Sequence, residues 1–201
     1  MQSILEEQAA ASAPGSELID RIDTFCGYPA GHSVRVSELA GRLAASFNVA
    51  REDREILRIA ALYRDAGELR MARDYISAAR PLTADELLDM QRHPVIGEQE
   101  AAASGAPDGV RLVVRWHHEW WNGDGYPDGL VGDEIPLAAR ILRLADCYLA
   151  LTSPRPFRRA FPADKAAAYL AEWAGIQFDP SVVAEFEHLK LTDDAAPAGQ
   201  Q

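Results

Sequence analysis

An all-α fold is predicted by three features of the sequence. Apolar residues recur at three- and four-residue spacing along most of the chain. Helix-opening signals punctuate these stretches, among them the Thr83/Glu86 pair of a capping box and prolines placed for a first turn. No stretch shows convincing strand character. The 201 residues suit one domain with tails, and 48% hydrophobic against 25% charged residues is enough for a folded core. The expected organisation is a tail at residues 1–15, a helical domain at 16–190 and a second tail at 191–201.

The first helix is expected from Ser16, as cap, through Leu18, Ile19, Ile22 and Phe25, with Cys26-Gly27-Tyr28-Pro29 breaking it. The second covers residues 32–47, where Val36, Leu39, Ala40, Leu43, Ala44 and Phe47 form one stripe. His32 lies one turn before Val36 and points to the same buried side. A third helix, with Asp53 as its cap, carries Ile56, Ile59, Ala60 and Tyr63 and runs into Arg64 and Asp65. Arg64 and Glu68 are spaced to pair if the helix continues through Gly67. Thr83 and Glu86 open a helix through Leu87, Leu88 and Met90, and Pro94 opens the next, which leaves His93 at a junction. Asp108 is a candidate cap for Val110, Val113, Val114 and His117 at helical spacing.

Residues 120–134 form a long glycine-rich loop with three aromatics, a composition that favours packing or ligand contact over disorder. Pro136 then starts a helix apolar almost all round, with Leu137, Ile141, Leu144, Ala145 and Tyr148 on one face. Such a helix belongs at the centre of the fold. Asp146 sits in its middle, and a buried carboxylate requires a cation or a hydrogen-bond network; a cation is the favoured reading. Residues 163–173 form a further helix stopped at Gly175. Asp179 caps the last one, which carries Val182, Val183, Phe186 and Leu189 and leaves His188 exposed.

The formal net charge of −11 argues against general binding to nucleic acid or an anionic membrane. Arg155 and Arg158 lie in a locally basic segment suited to clamping a small anion. Cys26 and Cys147 make no disulfide framework, which fits a reducing compartment. With no membrane-length apolar run and no signal-peptide pattern at the N-terminus, a soluble cytoplasmic protein is expected.

His32, Asp65, His93, His117, His118 and Asp146 each fall at a helix end or on an apolar helix face, more than packing requires. A carboxylate can bridge two ions while imidazoles hold each in place. Two ions about 3.5–4 Å apart can activate water and stabilise the leaving oxygen of a phosphate ester. A nitrogen-and-oxygen donor set suits iron, manganese or zinc better than magnesium.

These residues sit in a longer pattern. It includes His117-His118-Glu119, Asn122-Gly123, Gly125-Tyr126-Pro127, Gly129-Leu130, Gly132, Ile135-Pro136 and Ala139-Arg140-Ile141. Ala145-Asp146, Ala150-Leu151-Thr152-Ser153 and Arg155-Pro156 continue it. Gly31-His32-Ser33 and His93-Pro94 precede it, and Phe178-Asp179-Pro180 closes it. From about residue 18 to residue 189 the chain resembles the HD-GYP domain, a branch of the HD superfamily of metal-dependent phosphohydrolases. The resemblance implies an all-helical domain with a metal centre between helices and hydrolysis of cyclic di-GMP or a related nucleotide. It assigns His32, Asp65 and Asp146 to one ion and His93, His117 and His118 to the other, with Asp65 bridging as the catalytic carboxylate. It places Gly125, Tyr126 and Pro127 at the substrate pocket and Arg155 and Arg158 on the substrate phosphate. Tyr28 stands where three-metal relatives carry glutamate, so a third ion is not expected.

The chain departs from the pattern at its defining place. Where the family reads His-Asp-x-Gly-Lys, this sequence reads Arg64-Asp65-Ala66-Gly67-Glu68. Guanidinium has no lone pair to donate. A unit charge about 5 Å from a divalent ion, at an effective dielectric of ~20, meets roughly 6–7 kcal/mol of repulsion. The first metal site is therefore expected to be weakened or lost, with Glu68 as a partner for Arg64. One or two transition ions remain expected. Two function classes follow: a phosphodiesterase impaired at one site, or a degenerate domain that regulates by binding a nucleotide or a signalling protein partner.

Overall fold

The computed structural model describes residues 14–76, 78, 80–155 and 158–190. The expected tails at 1–15 and 191–201 lie outside the described residues, apart from Pro14 and Gly15, and so does Pro156. The described chain is helical: α1 (Ser16–Phe25), α2 (His32–Ser46), α3 (Arg51–Tyr63), α4 (Ala66–Met71), α5 (Ala84–Met90), α6 (His93–Ala103), α7 (Asp108–Trp116), α8 (Leu137–Thr152), α9 (Ala163–Glu172) and α10 (Pro180–His188). A 3₁₀ turn, Gly132–Glu134, precedes α8. Among the described residues β structure is limited to two isolated bridges, Arg155 with Arg158 and Ala174 with Phe178.

Helix α8 is central, as its all-round apolar sequence requires. It packs against α2, α3, α7, α9 and α10. Ile141, Leu142, Leu144 and Ala145 are fully enclosed, and they meet Val36, Ala40, Leu43 and Ala44 of α2 and Leu57 and Ala60 of α3 in one continuous core. A second layer, α4 with α6 and α6 with α7, builds out from α3 and α7. This arrangement brings the ends of α3, α6 and α7 and the middle of α8 to one place.

Several helix starts differ from the sequence expectation. The N-cap positions are Gly15, Ala50 and Pro107, without a side-chain capping bond, so Ser16, Asp53 and Asp108 fall inside the first turn instead. For the two aspartates this still places negative charge at the positive end of the helix dipole. The Thr83/Glu86 capping box is present, and Asp179 accepts from Ser181 N as a cap. Helix α5 buries none of its residues, and Leu87 and Leu88 are exposed. Helix α2 is capped from a distance: the buried carboxylate of Asp23, on α1, accepts from Ser33 N at 3.1 and 3.2 Å and from Ser33 Oγ at 2.5 Å.

The path does not continue as helix from α3 into α4. Arg64 and Asp65 form a turn between them, which redirects α4 onto the start of α6. Gly67 makes that contact feasible, because a Cβ there would lie 2.0 Å from His93 O and 2.8 Å from Gly97 N. Both neighbours are backbone and cannot swing aside. Gly67→Ala is therefore expected to force α4 off α6 and cost about 3 kcal/mol, the upper part of the overpacking range. Urea unfolding with chelator present measures this without any contribution from a bound ion.

Candidate metal centre

The six sequence-predicted ligands divide into two groups of different character. His93 is the first residue of α6, and His117 caps the end of α7. The Nδ1 atom of His93 lies 2.8 Å from Met90 O, and that of His117 lies 2.6 Å from Val114 O. A carbonyl accepts only, so both Nδ1 atoms carry their proton and both Nε2 atoms keep a lone pair. Those two Nε2 atoms face each other at 3.4 Å. His118 completes the triad, and donor atoms of all three histidines lie within 4.8 Å of one another. Burial, then the neighbouring His93, holds His117 down at about 3, while burial and the adjacent His117 keep His118 well below the usual histidine range. Neutral imidazoles with converging lone pairs fit a divalent transition ion.

The other predicted site is built differently. Arg64 is fully buried where the first ion was expected. Its Nε donates to Asp146 Oδ1 at 2.6 Å, and its Nη1 donates to Ser33 Oγ at 3.0 Å and Ala61 O at 2.9 Å. Nη2 lies 3.0 Å from Asp65 Oδ2, an ion pair off the line of a hydrogen bond. The anticipated Arg64–Glu68 pair is replaced by these contacts, because the turn at residues 64–65 points the guanidinium back toward α2 and α8. The buried Asp146 does have a cation, but it is Arg64. Burial works against the guanidinium's charge, yet Asp65 and Asp146 more than offset it and raise the Arg64 pKa. Burial alone would raise Asp146 too, but Arg64, then His117 and His32, holds it at about 2. His32 is pushed down to about 2 by burial and by Arg64. Its Nδ1 lies 3.3 Å from Ser153 Oγ, and its Nε2 has no hydrogen-bond partner among the described residues. A guanidinium that fills the space between Asp65 and Asp146 leaves no fit for an ion there.

Asp65 stands between the two groups. Burial raises its carboxyl to about 8; Arg64 opposes the rise, and Glu68 and Asp146 add to it. Ligand atoms of Asp65, Glu68 and His93 also lie within 4.8 Å of one another.

The loop after α7 covers this centre. Gly125 passes so close to the chain that a Cβ would lie 2.2 Å from Trp120 N and 2.6 Å from His118 O. That closeness lets Tyr126 donate its N–H to His118 O at 3.2 Å and stack on the His118 ring, with centroids 4.9 Å apart. The Tyr126-Pro127 peptide is cis. In the sequence Glu119 stands out only as part of a motif. Its buried carboxylate accepts from Asp128 N, Gly129 N and Leu130 N at 2.7, 3.2 and 3.1 Å and so shapes the loop. Asp128 in turn accepts from Arg115 and from Trp116 Nε1 of α7.

The two arginines expected on the substrate phosphate have separate surroundings. Arg155 lies over the Tyr28 ring at 3.8 Å, and Tyr28 stacks on His32 at 3.7 Å, so three planar groups are layered at the edge of the centre. Arg158 donates to Ala150 O and Leu151 O at 2.6 and 3.1 Å and closes the C-terminal end of α8. Arg143 was missed. It donates to Gln177 Oε1 at 2.7 Å, and its Nη1 lies 3.4 Å from His118 Nδ1. Its position three residues before Asp146, on the same face of α8, was the available signal.

Histidines and carboxylates gathered from the ends of several helices make this a helical domain with side chains able to hold a metal ion. The family profile described as HD domain matches residues 18–182. The chain is 40% identical over 154 residues to the cyclic di-GMP phosphodiesterase response regulator RpfG of Xanthomonas campestris, covering 74% of this chain and 40% of that protein. It is 35% identical over 163 residues to 3'3'-cGAMP-specific phosphodiesterase 3 of Vibrio cholerae, covering 81% and 35%. A crystal structure of the Vibrio cholerae cyclic GMP-AMP phosphodiesterase V-cGAP3 superposes with a TM-score of 0.66 at 20% identity, over 90% of this chain and 49% of that one, and shows the common fold. The chain belongs to the HD-domain family. It spans less than half the length of these relatives. No helix among the described residues is long and apolar enough to cross a membrane.

Removing the guanidinium would leave two buried carboxylates unpaired. Arg64→Ala is expected to cost about 3–5 kcal/mol of stability, the range for breaking a buried pair from one side. Chemical unfolding in chelator, with Arg58→Ala as a surface control, measures the difference.

Proposed function

We propose that the chain is a metal-dependent phosphohydrolase of the HD-GYP branch that acts on a cyclic dinucleotide with one metal site in place of two. The observation that carries this reading is the pair of Nε2 lone pairs on His93 and His117 facing each other beside His118 and Asp65. His93, His117 and His118, with Asp65, would hold the ion, for which iron or manganese is the best chemical match. When bound, that ion supplies Lewis-acid polarisation and lowers the pKa of water. Arg143, beside His118, is placed to meet a phosphate oxygen, and Arg155 at the Tyr28 edge offers a second guanidinium. Arg158 serves as a helix-end cap rather than a phosphate ligand. Tyr126, flat on His118, limits how a base or sugar approaches. Arg64 is a fixed positive charge a short distance away. It carries none of an ion's capacity to activate water, so turnover is slow.

The buried Arg64 also favours a second reading, in which the domain binds a nucleotide, or a signalling protein partner, without cutting it. Incubation of the purified protein with cyclic di-GMP and with 3'3'-cGAMP, each with iron or manganese, separates the two. Slow formation of linear dinucleotide is expected, rising at least 10-fold in the double variant Arg64→His/Glu68→Lys. No product from either substrate at high enzyme concentration would overturn hydrolysis, and calorimetry with the same two nucleotides then tests the binding reading.

A further inference from the structure

We propose that Glu68 is itself a metal ligand, so that the centre is a single-ion site of three imidazoles and two carboxylates. This rests on the reading that the three histidines hold an ion. Glu68 follows Asp65 by three residues on the first turn of α4, which puts both carboxylates on one face. The close approach at Gly67 presses that face against the start of α6, where His93 stands. Donor atoms of Asp65, Glu68 and His93 lie within 4.8 Å of one another, and so do those of His93, His117 and His118. Donors around one ion at about 2.0–2.2 Å can be at most about 4.4 Å apart, so each triad is within small side-chain adjustments of sharing an ion.

His93 belongs to both triads. Its Nδ1 is committed to Met90 O, which leaves one lone pair, and one lone pair serves one ion. The two triads therefore converge on the same ion.

Arg64 pairs with the carboxylates of Asp65 and Asp146, while Glu68 groups with Asp65 and His93. In this light the two departures from the family motif form one device: Arg64 takes over the first position, and Glu68 strengthens the second.

Mn(II) titration of the full chain, after stripping with chelator, tests this by calorimetry and elemental analysis. The unaltered protein is expected to bind one ion per chain. Glu68→Gln keeps the shape and removes the anionic donor; its Mn(II) affinity is expected to fall at least 10-fold, with unfolding in chelator unchanged. Glu68→Asp keeps the charge but withdraws the donor atom, and it is also expected to bind more weakly. With Co(II) as the probe, the visible bands of Glu68→Gln are expected to shift from those of the unaltered protein. Unaltered affinity in Glu68→Gln, with binding lost in His93→Ala, would overturn the role of Glu68 and leave the three-histidine site standing. Full affinity in Glu68→Asp with weak binding in Glu68→Gln would reduce Glu68 to a nearby charge and overturn ligation. Two ions per chain would overturn the single-ion centre. Equal weak binding in the unaltered protein and His93→Ala would sink the histidine site, and this inference with it.

Discussion

The contact between Arg64 and Asp146 determines what this domain can be. It joins the turn after α3 to the middle of the central helix, with neither partner in water. A buried pair of this kind is favourable only when its remaining hydrogen-bonding capacity is met. Here Ser33 and Ala61 accept from the guanidinium and Asp65 lies alongside. Ser33 is in turn held by Asp23, so the pair is anchored on α1 and α2 as well. The space that a first ion would need is the space that this network fills.

Asp65 lies between the two groups, beside Arg64 and within reach of His93. The histidines of α6 and α7 are oriented independently, through backbone carbonyls of their own helices, and do not depend on what happens at Arg64. Arg64 makes one half a salt-bridge network, while the donor atoms of His93, His117 and His118 in the other lie close enough to share an ion.

Much of the fold was legible in the sequence because helical periodicity is a local signal. The central position of α8 followed from its apolar circumference, and the capping box at Thr83 from two residues alone. The misread caps at Ser16, Asp53 and Asp108 share one cause. A polar residue near a helix start satisfies the same preference at the cap and in the first turn, and sequence does not separate the two. The partner of Arg64 was not legible. The spacing to Glu68 suggested a one-turn pair, but that holds only if the helix continues, and the turn at Asp65 breaks it. The actual partner is 82 residues away. A basic residue after a helix reads equally as a phosphate contact or a C-terminal cap, and Arg158 makes the cap contacts.

The Asp23–Ser33–Arg64–Asp146 chain of contacts crosses four segments of the domain with no ion in it. In a centre held together by two metals, part of the folding energy comes from the ions, and the protein's shape follows their supply. Here α1, α2, the α3–α4 turn and α8 are tied by covalently attached groups that are present from synthesis. Those contacts hold that half of the domain together without calling on an ion.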